Sequence, residues 1–219
     1  MKHRVFALGL LLLALPALGA PLTPRERFEA LERSLLDARR LEIEADVAVA
    51  GPRATHLAVQ LALEEGNRLH IAADNGQGDA LALTADGASW TLLRGTDKRM
   101  GPEGAEQNRA VILGLARQGL ANNLRRLLEG GEIDGAAGGM EGWTRVANLR
   151  LLSPRRAAAS GPSAVALAFD VFVDHRRRAT AVLWLDEETE LPLRRVQDIY
   201  TENGDTLTIT ETYRRFLLD

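Results

Sequence analysis

From Leu41 onward one pattern dominates the chain: apolar residues alternate with polar ones in segment after segment. Leu41, Ile43, Ala45, Val47 and Val49 interleave with Glu42, Glu44 and Asp46, which is the two-residue period of a strand with one buried and one wet face. The period returns at Leu57, Val59, Leu61 and Leu63, at Leu69, Ile71 and Ala73, at Leu81 and Leu83, and at Trp90 and Leu92. Further strands are expected at 143–152, 164–174, 180–186, 193–201 and 206–216. About ten one-sided strands exceed what a small flat sheet needs. The expectation is therefore a mostly β, α+β fold: a strongly curved antiparallel sheet covered by helices and enclosing apolar space.

Two segments carry the helical period instead. Thr23, Pro24 and Glu26 make a helix start, with a capping hydroxyl and a proline in the first turn. Phe28, Leu31, Leu35 and Leu36 then recur at helical spacing as far as Arg40. Between Gly104 and Gly131 a second stripe runs through Ile112, Leu115, Leu120, Leu124, Leu127 and Leu128, and reads as one continuous helix ended by Gly130-Gly131. The stretches 130–142 and 153–163 read as loops.

Turn chemistry predicts registers. Leu63 opposite Leu69 keeps two apolar faces together across a loop at Glu65-Gly66-Asn67. Read as two-residue turns, Asp86-Gly87 pairs Leu83 with Trp90 and Leu81 with Leu92, and Asn203-Gly204 pairs Tyr200 with Leu207. The latter register puts Thr206, Thr208, Thr210 and Thr212 on one face, and Asp198 and Glu211 on the other beside Leu207 and Ile209.

The N-terminus reads as a cleavable secretory signal over 1–19. Lys2, His3 and Arg4 precede an apolar run from Val5 to Leu15, and Ala17-Leu18-Gly19 supplies small residues for the peptidase. The run is shorter than the ~20 residues that span a bilayer, so cleavage after Gly19 and a periplasmic location are expected. No cysteine occurs anywhere in the chain, which excludes lipid attachment, disulfides and thiolate metal sites. The expected remainder, 20–219, is long enough for one sizeable core and so for a single domain. Loss of Lys2 and Arg4 takes the formal charge from −3 to −5. Mild acidity gives no electrostatic reason for a nucleic-acid or anionic-membrane partner.

The residues carry little sign of catalysis, and neither an enzyme nor a cofactor is expected. His56, His70 and His175 lack ligand spacing, and no serine elbow, phosphate loop or dinucleotide fingerprint is present. Asp198 and Glu211 are the best enzyme-like pair, since two carboxyl groups are what sugar hydrolysis requires; the alternative is ordinary pairing with Arg194 or Arg214. Arg176-Arg177-Arg178 reads as a charged hairpin tip guarding an edge. Trp90, Trp143 and Trp184 are either ligand wall or core.

The run Trp184-Leu185-Asp186-Glu187-Glu188-Thr189-Glu190-Leu191-Pro192-Leu193-Arg194-Arg195, followed by Tyr200 and Asn203-Gly204, resembles the C-terminal hairpins of the outer-membrane lipoprotein-sorting superfamily, with its LolA-like, LolB-like and LppX-like members. Asp86-Gly87 followed by Trp90 is similar to a second recurrent segment of it. The order of signal, helix, meander, helices and late strands also matches, although the tryptophan- and proline-rich early hairpin of the lipoprotein carrier proper is missing. The resemblance implies an unclosed half-barrel with helices as a lid over an apolar cavity, a fold that carries acyl chains across the periplasm. Its partners would be lipid or lipoprotein acyl chains and the envelope membrane proteins that load or receive them. Val59, Leu61, Leu69 and Ile71 are then expected to line the cavity, with Leu81, Leu83, Trp90 and Leu92 from the next hairpin and Phe169, Trp184, Leu207 and Ile209 from the late strands. A structural or envelope-assembly module with its cavity plugged by its own side chains is the alternative, and a hydrolase using Asp198 and Glu211 is the third reading.

Overall fold

The computed structural model describes residues 22–51, 54–64, 68–78, 80–102, 105–128, 144–153, 163–173, 175–201 and 203–219. The signal segment, the loop at 65–67 and Trp143 lie outside the described residues.

Alternation becomes strands wherever it was read. β1 is Leu41–Ala50, β2 Thr55–Glu64, β3 Arg68–Asp74, β4 Ala80–Ala85, β5 Ser89–Arg94 and β6 Asp97–Pro102, followed by β7 Thr144–Leu151, β8 Ala164–Val173, β9 Arg176–Asp186, β10 Pro192–Tyr200 and β11 Thr206–Leu218. All join one antiparallel sheet in the order β6-β5-β4-β3-β2-β1-β11-β10-β9-β8-β7. The outermost strands, β6 and β7, are not paired with each other, so the barrel is unclosed. β6 was not expected from the sequence, because Lys98, Arg99 and an exposed Met100 show no alternating apolar face. Charge and a terminal proline are common devices on an edge strand.

The sheet must curl, because one cluster holds Ile71 of β3, Leu83 of β4, Leu167 of β8 and Leu183 of β9 together with helix residues. A flat sheet could not bring its two wings around the same helices. The first of these, α1 (Pro24–Asp37), starts in a capping box: Glu26 N–H donates to Thr23 Oγ1 and Thr23 N–H to the Glu26 carboxylate. It buries Phe28, Leu31 and Leu35, with Phe28 edge-on to Phe169 at 5.1 Å between centroids. Ion pairs fix its polar side, from Arg27 to Glu190 and from Glu32 to Arg117.

The second helix, α2 (Ala105–Leu128), corrects the expectation of one continuous helix. At Gly119 the backbone takes φ 79° and ψ 174°, a region open essentially to glycine alone, and the helix breaks. Asn123 then donates to the Val111 carbonyl at 2.9 Å. In a straight helix those positions would stand ~18 Å apart, so the second half folds back on the first. Gly114 permits the approach, since a Cβ there would lie 2.3 Å from Asn123 Oδ1.

Two hairpins differ from the expected registers. Across the first, Leu83 pairs with Leu92 and Ala85 with Trp90. Asp86 stands before the turn, its carboxylate accepting from the amides of Ala88 and Ser89, so Gly87 and Ala88 are the central residues. The slip moves each partner by two positions and leaves the faces unchanged. In the last hairpin Tyr200 pairs with Thr206. Thr201 N–H donates to the Asp205 carbonyl and Gly204 N–H to Thr201, a loop one residue longer than expected. A slip of one residue exchanges faces.

Candidate functional site

The interior of the half-barrel is the candidate site, and it has two unlike walls. On the β1–β5 side the inward residues are aliphatic: Ile43, Val47, Val59, Leu61, Leu69, Ile71, Leu81, Leu83 and Leu92 are all buried in the main cluster, with Trp90 packed against it. Phe169 and Ile209 join them from the other side. Trp184 does not. Leu183 and Leu185 point inward, so strand parity sends Trp184 to the outer face, where it packs with Ala166 and lies under the Arg194 guanidinium. Leu207 is half-buried at the strand end against Gly51.

Among the described residues, sheet and helices meet closely at the heart of this site. Leu31, Leu35, Leu115, Ala116 and Leu120 of the helices meet Ile43, Leu183, Tyr213 and Phe216 around a void of about 10 Å³. That is room for about one water, and an apolar void of such a size stays dry.

The second wall carries charge. Arg195 and Glu211 face each other across β10 and β11, both 1% exposed, yet each reaches to a different end of the broken helix. Arg195 Nη1 and Nη2 donate to the carbonyls of Ala116 and Arg117 at 2.8 and 2.6 Å, at the end of the first half. Its Nε donates to Gln197 Oε1 at 3.0 Å. Glu211 Oε1 accepts from Ala121 N–H at 3.0 Å, at the start of the second half, and Oε2 accepts from the Tyr213 hydroxyl at 2.6 Å. A cation at a helix C-terminus and an anion at an N-terminus each satisfy backbone groups that the break leaves bare. Burial lowers the pKa of Arg195, opposed by Glu211 and Tyr213. Burial, then Glu211, pushes the Tyr213 phenol well up, so the phenol stays a donor. Gly119 lets the strands come this close, because a Cβ there would stand 2.6 Å from Glu211 Oε1 and 3.0 Å from Arg195 Cδ.

The carboxyl pair of the hydrolase reading is not assembled. In the observed register Asp198 pairs with Thr208 and accepts from its hydroxyl at 2.7 Å, on the face opposite Glu211. Residues 198 and 211 differ in parity across this register, so one carboxyl is outside and the other inside. His56, His70 and His175 are exposed on separate elements, and among the described residues no cluster of three metal-ligating side chains occurs. Arg176-Arg177-Arg178 open β9, which lies between β8 and β10 and so guards no edge; Arg177 lies 3.7 Å from Asp170 and over the Tyr200 ring.

Sequence reasoning missed Arg195 and Gly119. The usable signals were two glycines, Gly114 and Gly119, inside a helical stripe, and an arginine sharing strand parity with Gln197 and Ile199.

The chain is similar in fold to several solved structures. One is a LolA superfamily protein from Nitrosomonas europaea, at 10% identity and TM-score 0.38, covering 91% of this chain and 94% of that one. Another is an outer membrane lipoprotein-sorting protein domain from Vibrio parahaemolyticus, at 9% identity and TM-score 0.37, covering 90% and 92%. A third is the MucA/MucB complex of Pseudomonas aeruginosa, at 16% identity and TM-score 0.35, covering 89% of this chain and 56% of that chain. No family model matches the sequence, and no curated protein matches it.

Proposed function

We propose that the protein is a non-catalytic carrier of a lipidic ligand, exported to the periplasm by the segment 1–19, and that the structure is its closed state. The observation that carries this reading is the way the lid is fastened. α2 covers an aliphatic concave wall, yet its anchorage at the break is polar, from Arg195 and Glu211 to bare backbone groups. Burying two ionisable groups costs several kcal/mol unless every hydrogen bond is made, and well-packed apolar residues of similar volume serve a permanent core as well or better. Polar anchors differ in that water can replace them when the helix swings away. The exposed aliphatic wall then takes an acyl chain in place of Leu115 and Leu120.

The filled interior favours a second reading, a structural or envelope-assembly module that never opens. Titration of the purified protein with a fluorescent fatty acid, followed by Trp90 quenching, separates the two. The carrier binds the probe, and Leu83→Arg abolishes binding in a protein that still unfolds cooperatively, because the long side chain can reach toward an opening mouth. A parent that binds no acyl probe, with a Leu83→Arg variant that does not fold, establishes the structural module. Export is checked by intact mass: the mature chain is expected to begin at Ala20, and retention of Met1 would refute cleavage.

A further inference from the structure

We propose that Gln118, Asn122 and Thr144 form a subsite for the headgroup of the carried lipid, and that this headgroup is uncharged and presents both a hydrogen-bond donor and an acceptor, as a glyceride hydroxyl or a carboxamide does. The proposal rests on the carrier reading above. The three residues are 4%, 7% and 1% exposed. Gln118 Nε2, Asn122 Oδ1 and Thr144 Oγ1 are nevertheless buried with no hydrogen-bond partner. Native proteins leave few buried polar atoms unpartnered, and each such atom calls for an explanation. The remaining two in the described residues, Arg27 Nε and Glu190 Oε2, belong to an ion pair already joined through its other atoms.

The three orphans lie around the break in α2. Asn122 Nδ2 donates to the Gln118 carbonyl at 3.3 Å, and the neighbouring Arg117 donates to the Thr144 carbonyl at 2.6 Å. Leu115, Ala116 and Leu120, which line the apolar void, flank Gln118 on both sides in sequence. An acyl chain that takes the place of Leu115 and Leu120 therefore brings its polar end to the break. The unmet demand is mixed: the Gln118 amide needs an acceptor, the Asn122 oxygen needs a donor, and the Thr144 hydroxyl serves as either.

The charges at the break select against an anion. Arg117 is committed to Glu32 at 2.6 Å and to the Thr144 carbonyl, and Arg195 to two helix carbonyls and Gln197. Glu32 and Glu211, joined to the same stretch of α2, add negative charge beside the subsite. Among the described side chains, a carboxylate or phosphate would meet no uncommitted guanidinium there.

The test compares three ligands of one chain length on the full protein: monopalmitoylglycerol, palmitamide and, at alkaline pH, palmitate. Isothermal titration should show at least one of the neutral ligands binding about tenfold or more tighter than palmitate, the worth of one or two buried hydrogen bonds. The tighter of the two neutral ligands identifies the source, an ester glyceride or an amide. Asn122→Leu and Thr144→Val should bring that ligand down to the palmitate level while leaving palmitate unchanged. Thr144→Val replaces an unpartnered hydroxyl by a group of similar shape and should be close to neutral, whereas Asn122→Leu also frees the Gln118 carbonyl and should lower the thermal midpoint without unfolding the protein; thermal unfolding verifies both. Equal affinity for all three ligands in the parent, or a preference that survives both substitutions, overturns the subsite while leaving the carrier intact. Failure of every ligand to bind the parent removes the carrier reading and the subsite with it.

Discussion

The two wings of the sheet hold the same lid by different physics. On the wing of β1 to β5, Ile43, Leu61, Ile71, Leu83 and their neighbours share one apolar cluster with α1 and α2, held by packing that is strong in sum and indifferent to direction. On the wing of β10 and β11, α2 is held by hydrogen bonds from Arg195 and Glu211, which demand one geometry. The difference teaches where the molecule can change shape. An aliphatic wall accepts a substitute of similar volume, including a ligand, whereas a directional anchor is either made or replaced by water.

Perturbing the anchored wing should give the largest effect. Arg195→Met leaves the Ala116 and Arg117 carbonyls bare and Glu211 without its cation, and is expected to cost about 3–5 kcal/mol in denaturant unfolding. A loss below about 1 kcal/mol would erase the contrast between the wings. Next comes Gly119→Ala, which forces an alanine into a glycine-only conformation and drives Cβ against Glu211. About 1–3 kcal/mol is expected from the backbone alone, and protease cleavage within α2 should quicken more than global unfolding.

Substitutions of similar volume on the aliphatic wing sharpen the comparison from the other side. Leu61→Met and Leu83→Met should each cost less than about 1.5 kcal/mol in the same assay. The smallest effect is electrostatic and lies in two exposed turns. Asp186 is held below the usual carboxylate range by the Thr189 amide, then its hydroxyl, and Asp86 by the amides of Ser89 and Ala88. Their folded-state values lie below the unfolded one. The stability they contribute is complete above the unfolded value of about 4 and is lost as pH falls through the lower folded value. Asp186→Asn keeps the accepting oxygen and removes the titration, so it should flatten the acid limb of the thermal midpoint slightly. An unchanged acid limb would refute the contribution.

The two turns show how much of the fold was legible. At Asp86 the glycine position was read correctly, but the aspartate caps the turn from outside it, and the error of two residues cost nothing because side chains repeat every two. At Asn203 a loop one residue longer moved Asp198 to the opposite face from Glu211 and dissolved the proposed acid pair. Turn residues announce a turn more reliably than its length, and parity makes the odd error the harmful one.

What the sequence determined by itself is the content of local periods: where the helices and every strand but β6 lie, the capping box at Thr23, and that Val59, Leu61, Leu83 and Phe169 are inside. These follow from short-range sterics and from the burial of one face, both of which are written in neighbouring residues. Only the tertiary structure decided that α2 breaks, that Arg195 and Glu211 serve its two bare ends, and that Trp184 faces outward. Each of these depends on a contact across a long stretch of chain. Gly119 is a tolerable helix residue until two buried side chains from β10 and β11 occupy the space and the hydrogen bonds that a continuous helix would need.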